Sequence, residues 1–224
     1  MMINKIENTL ACFQNLPQED LDFLNKKRTQ IEYLKGETIF KQGAFAPHVL
    51  FVNEGMVKVY LQTGVSKQIN IRLARQGDFI AFSPVFGENT YYYSAMALID
   101  STICMIEKEA IKQLLLKNPD FAMQITSKNY KNENRYLEII KNISYKQMRG
   151  KLASALLYLT SEDLKNENIF QSLTRQDIAD FASITIESTV KFLKEFEKEG
   201  IVGLDGKEIV ILKSEELTTI SKNG

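Results

Sequence analysis

The chain of 224 residues has few of the side chains on which most catalytic and metal-binding sites depend. It contains one histidine, two cysteines and no tryptophan. Cys12 and Cys104 lie far apart in the sequence and suggest neither a disulfide framework nor a four-ligand metal site. The sequence also lacks a glycine-rich phosphate loop and any His, Cys and Asp set at metal-ligand spacing. These absences argue against an enzyme, so we predict no catalytic and no metal-binding residues.

Long apolar runs and an excess of one charge are also missing. No apolar run approaches the ~18 to 20 residues that span a bilayer, and the first residues, MMINKIENTL, contain no apolar signal core. We therefore expect a cytoplasmic protein with no membrane segment. The 28 basic and 28 acidic residues give a net charge of zero, so composition alone does not indicate a nucleic-acid partner.

Residues 33 to 106 show the sequence pattern of a series of β-strands. Short β-branched and aromatic runs alternate with glycines, and the clearest runs are HVLFVNEG, VKVYLQTG and INIRLARQG. Turn signals separate these runs at roughly 8 to 12 residues, which is typical of an all-β barrel or jelly roll.

From about residue 107 the strand pattern ends and a helical pattern begins. A short helix ends at Pro119, and residues 120 to 143 then form one long helical stretch. Its apolar residues recur mostly at intervals of three and four, and the seam comprises Phe121, Ile125, Tyr136, Ile139 and Ile143. Two interpretations remain open. The seam either forms a two-stranded coiled coil between subunits or packs on the barrel of its own chain.

Near the C-terminus, the segment LTRQDIADFASITIESTVKFLKEFEKEG contains two helix starts close together. Thr174 can cap the first helix and Thr185 the second. The next segment, IVGLDGKEIVILK, has a hairpin signal at Asp205 and Gly206 between two short strands. A helix, a turn, a helix and a hairpin form a winged helix-turn-helix, whose second helix lies in the DNA major groove. The alternative is a helical hairpin that serves packing or protein contact.

The second of these helices has two different faces. Thr189, Phe192, Leu193 and Phe196 supply an apolar stripe. The opposite face is polar and comprises Glu187, Ser188, Lys191 and Lys194. Residues 145–224 contain 11 basic and 13 acidic residues, a net charge of about −2. Phosphate binding would therefore depend on the local arrangement of charges.

A resemblance to the Crp/Fnr transcription regulators, the family of the cAMP receptor protein, joins these segments. Their helix-turn-helix is similar to LTRQDIADFASITIESTVKFLKEFEKEGIV. The first strands of their cyclic-nucleotide-type barrel resemble KGETIFKQGAFAPHVLFVNEGMVKVY. A GDF segment is similar to QGDFIAF, and the start of their dimerisation helix is similar to KNPDFAMQI. The resemblance extends from about Phe13 to Leu212, and its motifs appear in the family's order.

The resemblance implies an α+β fold with three domains: a cyclic-nucleotide-binding-like effector barrel of jelly-roll type (1–117), a dimerisation helix (118–143) and a C-terminal winged helix-turn-helix (144–224). It also implies a homodimer that binds a roughly palindromic site in double-stranded DNA, with RNA polymerase as a further partner. The residues that match the family's DNA contacts are Thr174, Arg175, Gln176, Thr185, Ile186, Glu187, Ser188 and Lys191. Ile186 departs from the arginine that is frequent at its position, and it either contacts a thymine methyl or packs in the core.

The sensor segment lacks the groups with which the family holds cAMP. Phe82 occupies the position of the phosphate-binding glutamate and Tyr93 that of the arginine, while Ser94 is retained. Tyr136 and Leu137 replace the polar pair that touches the base. A buried phosphate without its arginine would leave an unpaired charge, which costs several kcal/mol, so we predict that cAMP does not bind.

Other effectors of the family fit the sequence no better. An iron-sulfur cluster needs clustered N-terminal cysteines, and Cys12 has no cysteine near it. Haem would need an axial ligand, and the single histidine, His48, stands at a predicted strand start, so a surface or turn role is favoured. The effector therefore remains unidentified.

Aromatic residues are concentrated where the family binds its effector. They either line a site for a flat, apolar ligand or fill the cavity themselves. The predicted pocket residues are Phe79, Phe82, Phe86, Tyr93, Ser94 and Tyr136, with Tyr91 and Tyr92 beside them. The leading hypothesis is thus a dimeric, sequence-specific transcription regulator. The alternative is a sensory or protein-interaction module that retains the fold without binding DNA.

Overall fold

The computed structural model describes residues 13, 16–65, 67–164 and 169–224, with residues 131–133 as backbone only. The chain forms two compact units. The first comprises the described residues up to Gln62 together with Arg72–Asn134, and the second comprises Thr63–Ile71 and Arg135–Gly224. The three predicted domains, 1–117, 118–143 and 144–224, stay a prediction. No helix in the described ranges is both long and apolar enough to cross a bilayer.

The barrel consists of two four-stranded sheets, as the alternation of short strands and glycines predicts. The strands are β1 (Arg28–Tyr33), β2 (Thr38–Phe40), β3 (His48–Glu54), β4 (Met56–Gln62), β5 (Gln68–Arg75), β6 (Phe79–Ala81), β7 (Ser94–Ala97) and β8 (Ser101–Glu107). Their order is β1-β8-β3-β6 in one sheet and β2-β7-β4-β5 in the other. Three helices and a 3₁₀ turn accompany them: α1 (Gln18–Lys26), the turn Ser83–Phe86, α2 (Lys108–Lys117) and α3 (Pro119–Tyr145). The predicted α+β fold with a jelly-roll barrel is confirmed.

Gly55 lets the chain pass from one sheet to the other. It is the single residue between β3 and β4, and its φ of +98° lies in the left-handed region that favours glycine. A side chain there would overlap Ser101 Oγ and would place its Cβ 2.7 Å from the Asp100 carbonyl oxygen. The sharp corner between the sheets therefore requires glycine.

The core of the first unit lies between the β3 sheet and the helices. Phe13 packs on Phe51 and Phe121, with ring centroids 5.8 and 5.5 Å apart. Phe121 is 3% exposed and Ile125 is fully buried, and both belong to this same core. For these two residues the seam therefore packs on its own chain, which is one of the two interpretations left open, and the coiled-coil interpretation is wrong for them.

A different set of apolar residues lies on the open side of α3. Their side chains are between 56% and 70% exposed, and they are Met123, Tyr130, Leu137 and Ile140. We call these four residues the α3 stripe. The first three stand seven residues apart and the fourth follows three residues later, which is the spacing of a coiled-coil seam.

The second unit contains the elements of the predicted winged helix-turn-helix, and that part of the fold is confirmed. Its helices and strands are α4 (Met148–Leu159), α5 (Ile169–Ser172), α6 (Arg175–Ala182), α7 (Ile186–Lys198), β9 (Val202–Asp205), β10 (Glu208–Ile211) and α8 (Ser214–Asn223). Helix α8 packs on α4 so closely that a Cβ on Gly150 would lie 2.8 Å from the Gly224 carbonyl group. Lys146 Nζ donates to Ser154 Oγ at 2.8 Å and to Ser221 Oγ at 3.2 Å, which joins the same two helices.

Candidate nucleic-acid interface

Thr174 begins α6 with a capping box. Its Oγ1 accepts the backbone N–H of Asp177 at 3.0 Å, and the Asp177 carboxylate accepts the backbone N–H of Thr174 at 2.8 Å. Two amides that the helix itself leaves without partners are thereby satisfied. Thr174 is exposed, but its hydroxyl also donates to Asp177 Oδ2 at 2.6 Å, so its first role is to fix the start of the helix.

A three-residue turn separates the two helices. Ser183 ends α6 with φ 54° and ψ 44°, a left-handed conformation that is uncommon outside glycine. Ile184 N–H donates to the Ala179 carbonyl oxygen at 3.1 Å. Thr185 then caps α7 and accepts the Ser188 N–H at 3.2 Å. The left-handed residue Ser183 and the cap at Thr185 therefore explain how the chain can stop one helix and restart another within three residues.

Helix α7 has one buried and one exposed face. Thr189, Leu193 and Phe196 are buried against the rest of the unit, as the sequence pattern predicts. Thr189 donates its hydroxyl hydrogen to the Thr185 carbonyl oxygen at 3.0 Å, which satisfies a polar group that would otherwise be costly to bury. Phe192, predicted for the same stripe, is only half-buried.

The predicted base-contacting residues lie together at the N-terminal end of α7. Glu187 and Lys191 are exposed one turn apart, and Ile186 and Ser188 are half-buried. Val190, which the sequence reasoning missed, is 37% exposed beside Lys191. Its position, three residues after Glu187 and outside the apolar stripe, was the signal that could have identified it. The face thus combines an acceptor, a cation and two apolar groups.

The charges on this face are paired only loosely. Glu187 accepts hydrogen bonds from its own backbone amide and from Thr185, and these lower the pKa of its carboxyl group, so it is ionised at neutral pH. Lys191 Nζ lies 3.9 Å from Glu195 Oε1, in an exposed pair one helical turn apart. Such a pair contributes little to stability, so the ammonium group can exchange partners readily.

Arg175 and Gln176, also predicted to contact DNA, have partners within the unit. Arg175 is half-buried, and its guanidinium donates to the carbonyl oxygens of Gly206 at 2.9 Å and Lys207 at 3.3 Å. Burial lowers the pKa of Arg175. Gln176 is exposed and donates to Asp180 Oδ1 at 2.8 Å.

The predicted effector-pocket residues are distributed among different environments. Phe79 and Phe82 are buried in the barrel core with their ring centroids 5.2 Å apart, whereas Phe86 is 71% exposed. Ser94 is buried and accepts the Gln42 N–H at 2.9 Å. Tyr93 is half-buried, with its ring centroid 6.1 Å from that of Phe40.

Tyr136 belongs to the second compact unit. Within the first unit, ring contacts join Phe79, Phe82 and Phe86, whereas Tyr93 and Ser94 have other partners. The role of all six residues in effector binding stays a prediction.

His48 and Cys104, which the sequence reasoning weighed for haem or metal, stand on the neighbouring strands β3 and β8. His48 stands at the first position of β3, as predicted. Cys104 is buried in β8, where burial raises the pKa of its thiol to about 11, and Cys12 lies outside the described residues. Within the described ranges, no group of three or more His, Cys, Asp or Glu residues is arranged to hold a metal ion.

Comparison with known families accounts for both units. Residues 30–118 match the family model of the cyclic nucleotide-binding domain. Residues 150–220 match that of the Crp-like helix-turn-helix domain. The second match contains the whole of α6, α7 and the β9–β10 hairpin.

Curated relatives resemble the chain over most of its length. It is 26% identical over 207 residues to the fumarate and nitrate reduction regulatory protein of Vibrio cholerae, covering 91% of this chain and 82% of the relative. It is 24% identical over 184 residues to the cAMP-activated global transcriptional regulator CRP of Salmonella typhimurium, covering 80% and 88% of the two chains.

Solved structures share the fold. A variant of CooA from Carboxydothermus hydrogenoformans superposes with a TM-score of 0.77 at 20% identity, covering 96% of both chains. A Crp/Fnr-family transcriptional regulator from Eubacterium rectale superposes with a TM-score of 0.75 at 21% identity, covering 97% of this chain and 100% of that one. At these identities the likeness concerns architecture alone.

Proposed function

Because the chain belongs to the Crp/Fnr family of DNA-binding transcription regulators and is not an enzyme, we propose that it acts as a homodimer that reads a roughly palindromic site. One observation supports this proposal above the others. The exposed face of α7 combines Glu187, Val190 and Lys191 directly after a sharply defined turn. A helix held in this way can enter the major groove with its N-terminal residues toward the base edges.

The chemistry of this face favours a mixed base readout. Lys191 can donate to the acceptors of guanine, and the ionised Glu187 can accept from the amino group of cytosine. Ile186 and Val190 can contact thymine methyl groups, because both are apolar and at least partly exposed. Thr174 and Gln176 lie at the start of α6, and we propose that they contact the phosphate backbone.

A dimer imposes its own symmetry on the DNA. Two α7 helices in successive major grooves demand half-sites about one helical turn, ~34 Å, apart. The α3 stripe supports the proposal of a dimer, since its apolar side chains are exposed in the single chain and follow a coiled-coil spacing. RNA polymerase is the further partner that we propose, because the chain is a transcription regulator.

We propose that cAMP is not the effector of this protein. Phe82, which stands where the family places its phosphate-binding glutamate, packs its ring 5.2 Å from Phe79 and 5.7 Å from Phe86. The hydroxyl of Ser94 already accepts a backbone N–H. A phosphate needs hydrogen-bond partners that carry a positive charge. Neither the ring of Phe82 nor the hydroxyl of Ser94 supplies one.

Selection from a random duplex library tests the function. We expect the wild-type protein to enrich a palindrome with half-sites one helical turn apart. The control is Lys222→Ala, which removes an exposed lysine from α8 and should enrich the same site. A pool without symmetry would contradict the assignment of α7 as recognition helix. Failure of the wild type to retain any duplex would favour the non-DNA-binding sensory or interaction module instead.

A further inference from the structure

Arg175 connects the first helix of the helix-turn-helix to the tip of the hairpin. Its Nη2 donates to the Gly206 carbonyl oxygen at 2.9 Å and its Nη1 to that of Lys207 at 3.3 Å. Gly206 and Lys207 form the two-residue loop between β9 and β10, where Asp205 pairs with Glu208. The planar guanidinium thus binds two successive carbonyl groups of one turn, a geometry that its paired N–H donors suit and a lysine ammonium does not.

The hairpin needs such a contact to hold its position. Each strand has only four residues, Val202–Asp205 and Glu208–Ile211, and an isolated two-stranded hairpin is marginally stable in water. At the end away from the loop, Ile201 N–H donates to the Phe196 carbonyl oxygen at 2.8 Å, which attaches the start of the hairpin to α7. The guanidinium group of Arg175 binds the opposite end, at the loop. Together with the hydrogen bond that Gln171 Nε2 donates to Glu208 Oε2 at 3.2 Å, these attachments hold the hairpin at both ends.

The loop carries the one basic side chain of the hairpin. Lys207 is exposed, while Asp205 and Glu208 on either side of it are acidic. Attraction of the hairpin to a phosphate therefore depends on where Lys207 is held. Since Arg175 binds the carbonyl of Lys207 itself, it fixes the backbone from which that ammonium group extends.

We infer that Arg175 is a positioning residue for the hairpin, which it holds so that Lys207 meets a DNA phosphate. The resemblance to the family implied instead that Arg175 contacts the DNA backbone directly. The half-buried guanidinium, already engaged with two carbonyl groups, favours the indirect role. This role rests on the proposed function, because the hairpin has a phosphate to meet only if the unit binds DNA.

The first test needs no DNA. Amide hydrogen exchange is measured on the full-length wild type, Arg175→Ala, Arg175→Lys and Gln176→Ala. We expect both Arg175 variants to accelerate exchange in the hairpin, Val202–Ile211, by about tenfold or more, since hydrogen bonds from a charged group are lost. The control, Gln176→Ala, alters the neighbouring residue, whose amide binds Asp180, and should leave the hairpin unchanged. Unchanged exchange in α4 and α8 shows that each variant is folded.

The second test uses the salt dependence of binding to the selected duplex. Lys207→Ala, Arg175→Ala and the double variant should each reduce the salt slope by the same amount, about 1.8, because all three lose one phosphate contact in each of the two subunits. Arg175→Lys should behave like Arg175→Ala. A loss of about 3.6 in the double variant, or a normal slope for Arg175→Lys, would show that Arg175 contacts phosphate itself. Unaltered hairpin exchange in Arg175→Ala would also overturn the inference, whereas a wild type that binds no duplex would overturn the proposed function.

Discussion

At the scale of single residues, Ser183 determines the angle at which α7 leaves α6. Its positive φ of 54° places a residue with a side chain where glycine is the usual choice. Serine tolerates this position better than a branched residue would, because it has one heavy atom on its Cβ. The left-handed conformation of Ser183 therefore costs a small amount of free energy, and it allows the chain to change direction within three residues.

Ser183→Val should destabilise the protein by about 1 to 2 kcal/mol, because a β-branched side chain clashes with the backbone in the left-handed region. Chemical denaturation followed by circular dichroism measures the change. Ser183→Gly is the matched control and should match or exceed the stability of the wild type, because glycine adopts this conformation freely. Equal stabilities for the valine variant and the wild type would show that the turn is not confined to positive φ.

Lys191→Ala should weaken binding to the selected site by roughly 1 to 3 kcal/mol and relax the base preference at one position in each half-site. The reason is that Lys191 extends from the exposed face of α7 beside Glu187, within reach of base edges. Quantitative binding to single-base variants of the site measures both effects. A uniform loss across all sequences with a shallower salt slope would instead show that Lys191 contacts only phosphate.

At the scale of elements, α3 is a helix with two apolar sides. One side buries Phe121 and Ile125 in the core of its own chain, and the other exposes the α3 stripe. Exposed apolar side chains at a sustained coiled-coil spacing are typical of a surface that another helix covers. Packing on its own chain, one of the two interpretations of the predicted seam, thus holds for Phe121 and Ile125. The coiled coil stays a proposal, and it now rests on the α3 stripe, whose residues the predicted seam did not include.

Leu137→Glu combined with Ile140→Glu should convert the proposed dimer to monomers, because the charges buried at the proposed seam would remain unpaired. Size-exclusion chromatography with light scattering measures the mass. The control Gln124→Glu adds a charge at an exposed position on the side of α3 away from the stripe and should leave the dimer intact. A dimer that survives the double substitution would place the subunit interface on another surface.

How far the sequence predicts an element depends on whether its signal is local. Capping at Thr174 and Thr185 and the glycine of the hairpin are local, so α6, α7 and the β9–β10 hairpin are recovered from pattern alone. Helix α8 was not predicted, since its segment, SEELTTISKN, has few apolar residues and acquires its place by close packing on α4. The contact of the Arg175 guanidinium with the hairpin could not be predicted from the sequence either, because it joins residues about thirty positions apart.

At the scale of the whole molecule, the chain keeps the architecture of its family while its sensor segment differs in chemistry. The barrel matches the cyclic nucleotide-binding domain, yet Phe82 and Tyr93 stand where the resemblance places the charged partners of a phosphate. Phe82 is buried among other aromatic rings of the core. The shared fold of the barrel therefore does not specify which ligand it binds.

Isothermal titration of the protein with cAMP should give no binding in the micromolar range or tighter. Phe82 and Tyr93 cannot replace charge-assisted phosphate partners, and a buried phosphate left unpaired costs several kcal/mol. The same titration into the cAMP-activated regulator of Salmonella typhimurium provides the comparison. A micromolar complex with this protein would show that other groups of the barrel hold the phosphate.

The separation of the two faces of α7 has an evolutionary consequence. Thr189, Leu193 and Phe196 maintain the fold from one side of the helix, and Glu187 and Lys191 are exposed on the other. Surface substitutions usually change stability by less than about 0.5 kcal/mol. A duplicated gene can therefore acquire a new set of target promoters through a few changes on the exposed face while its protein continues to fold as before.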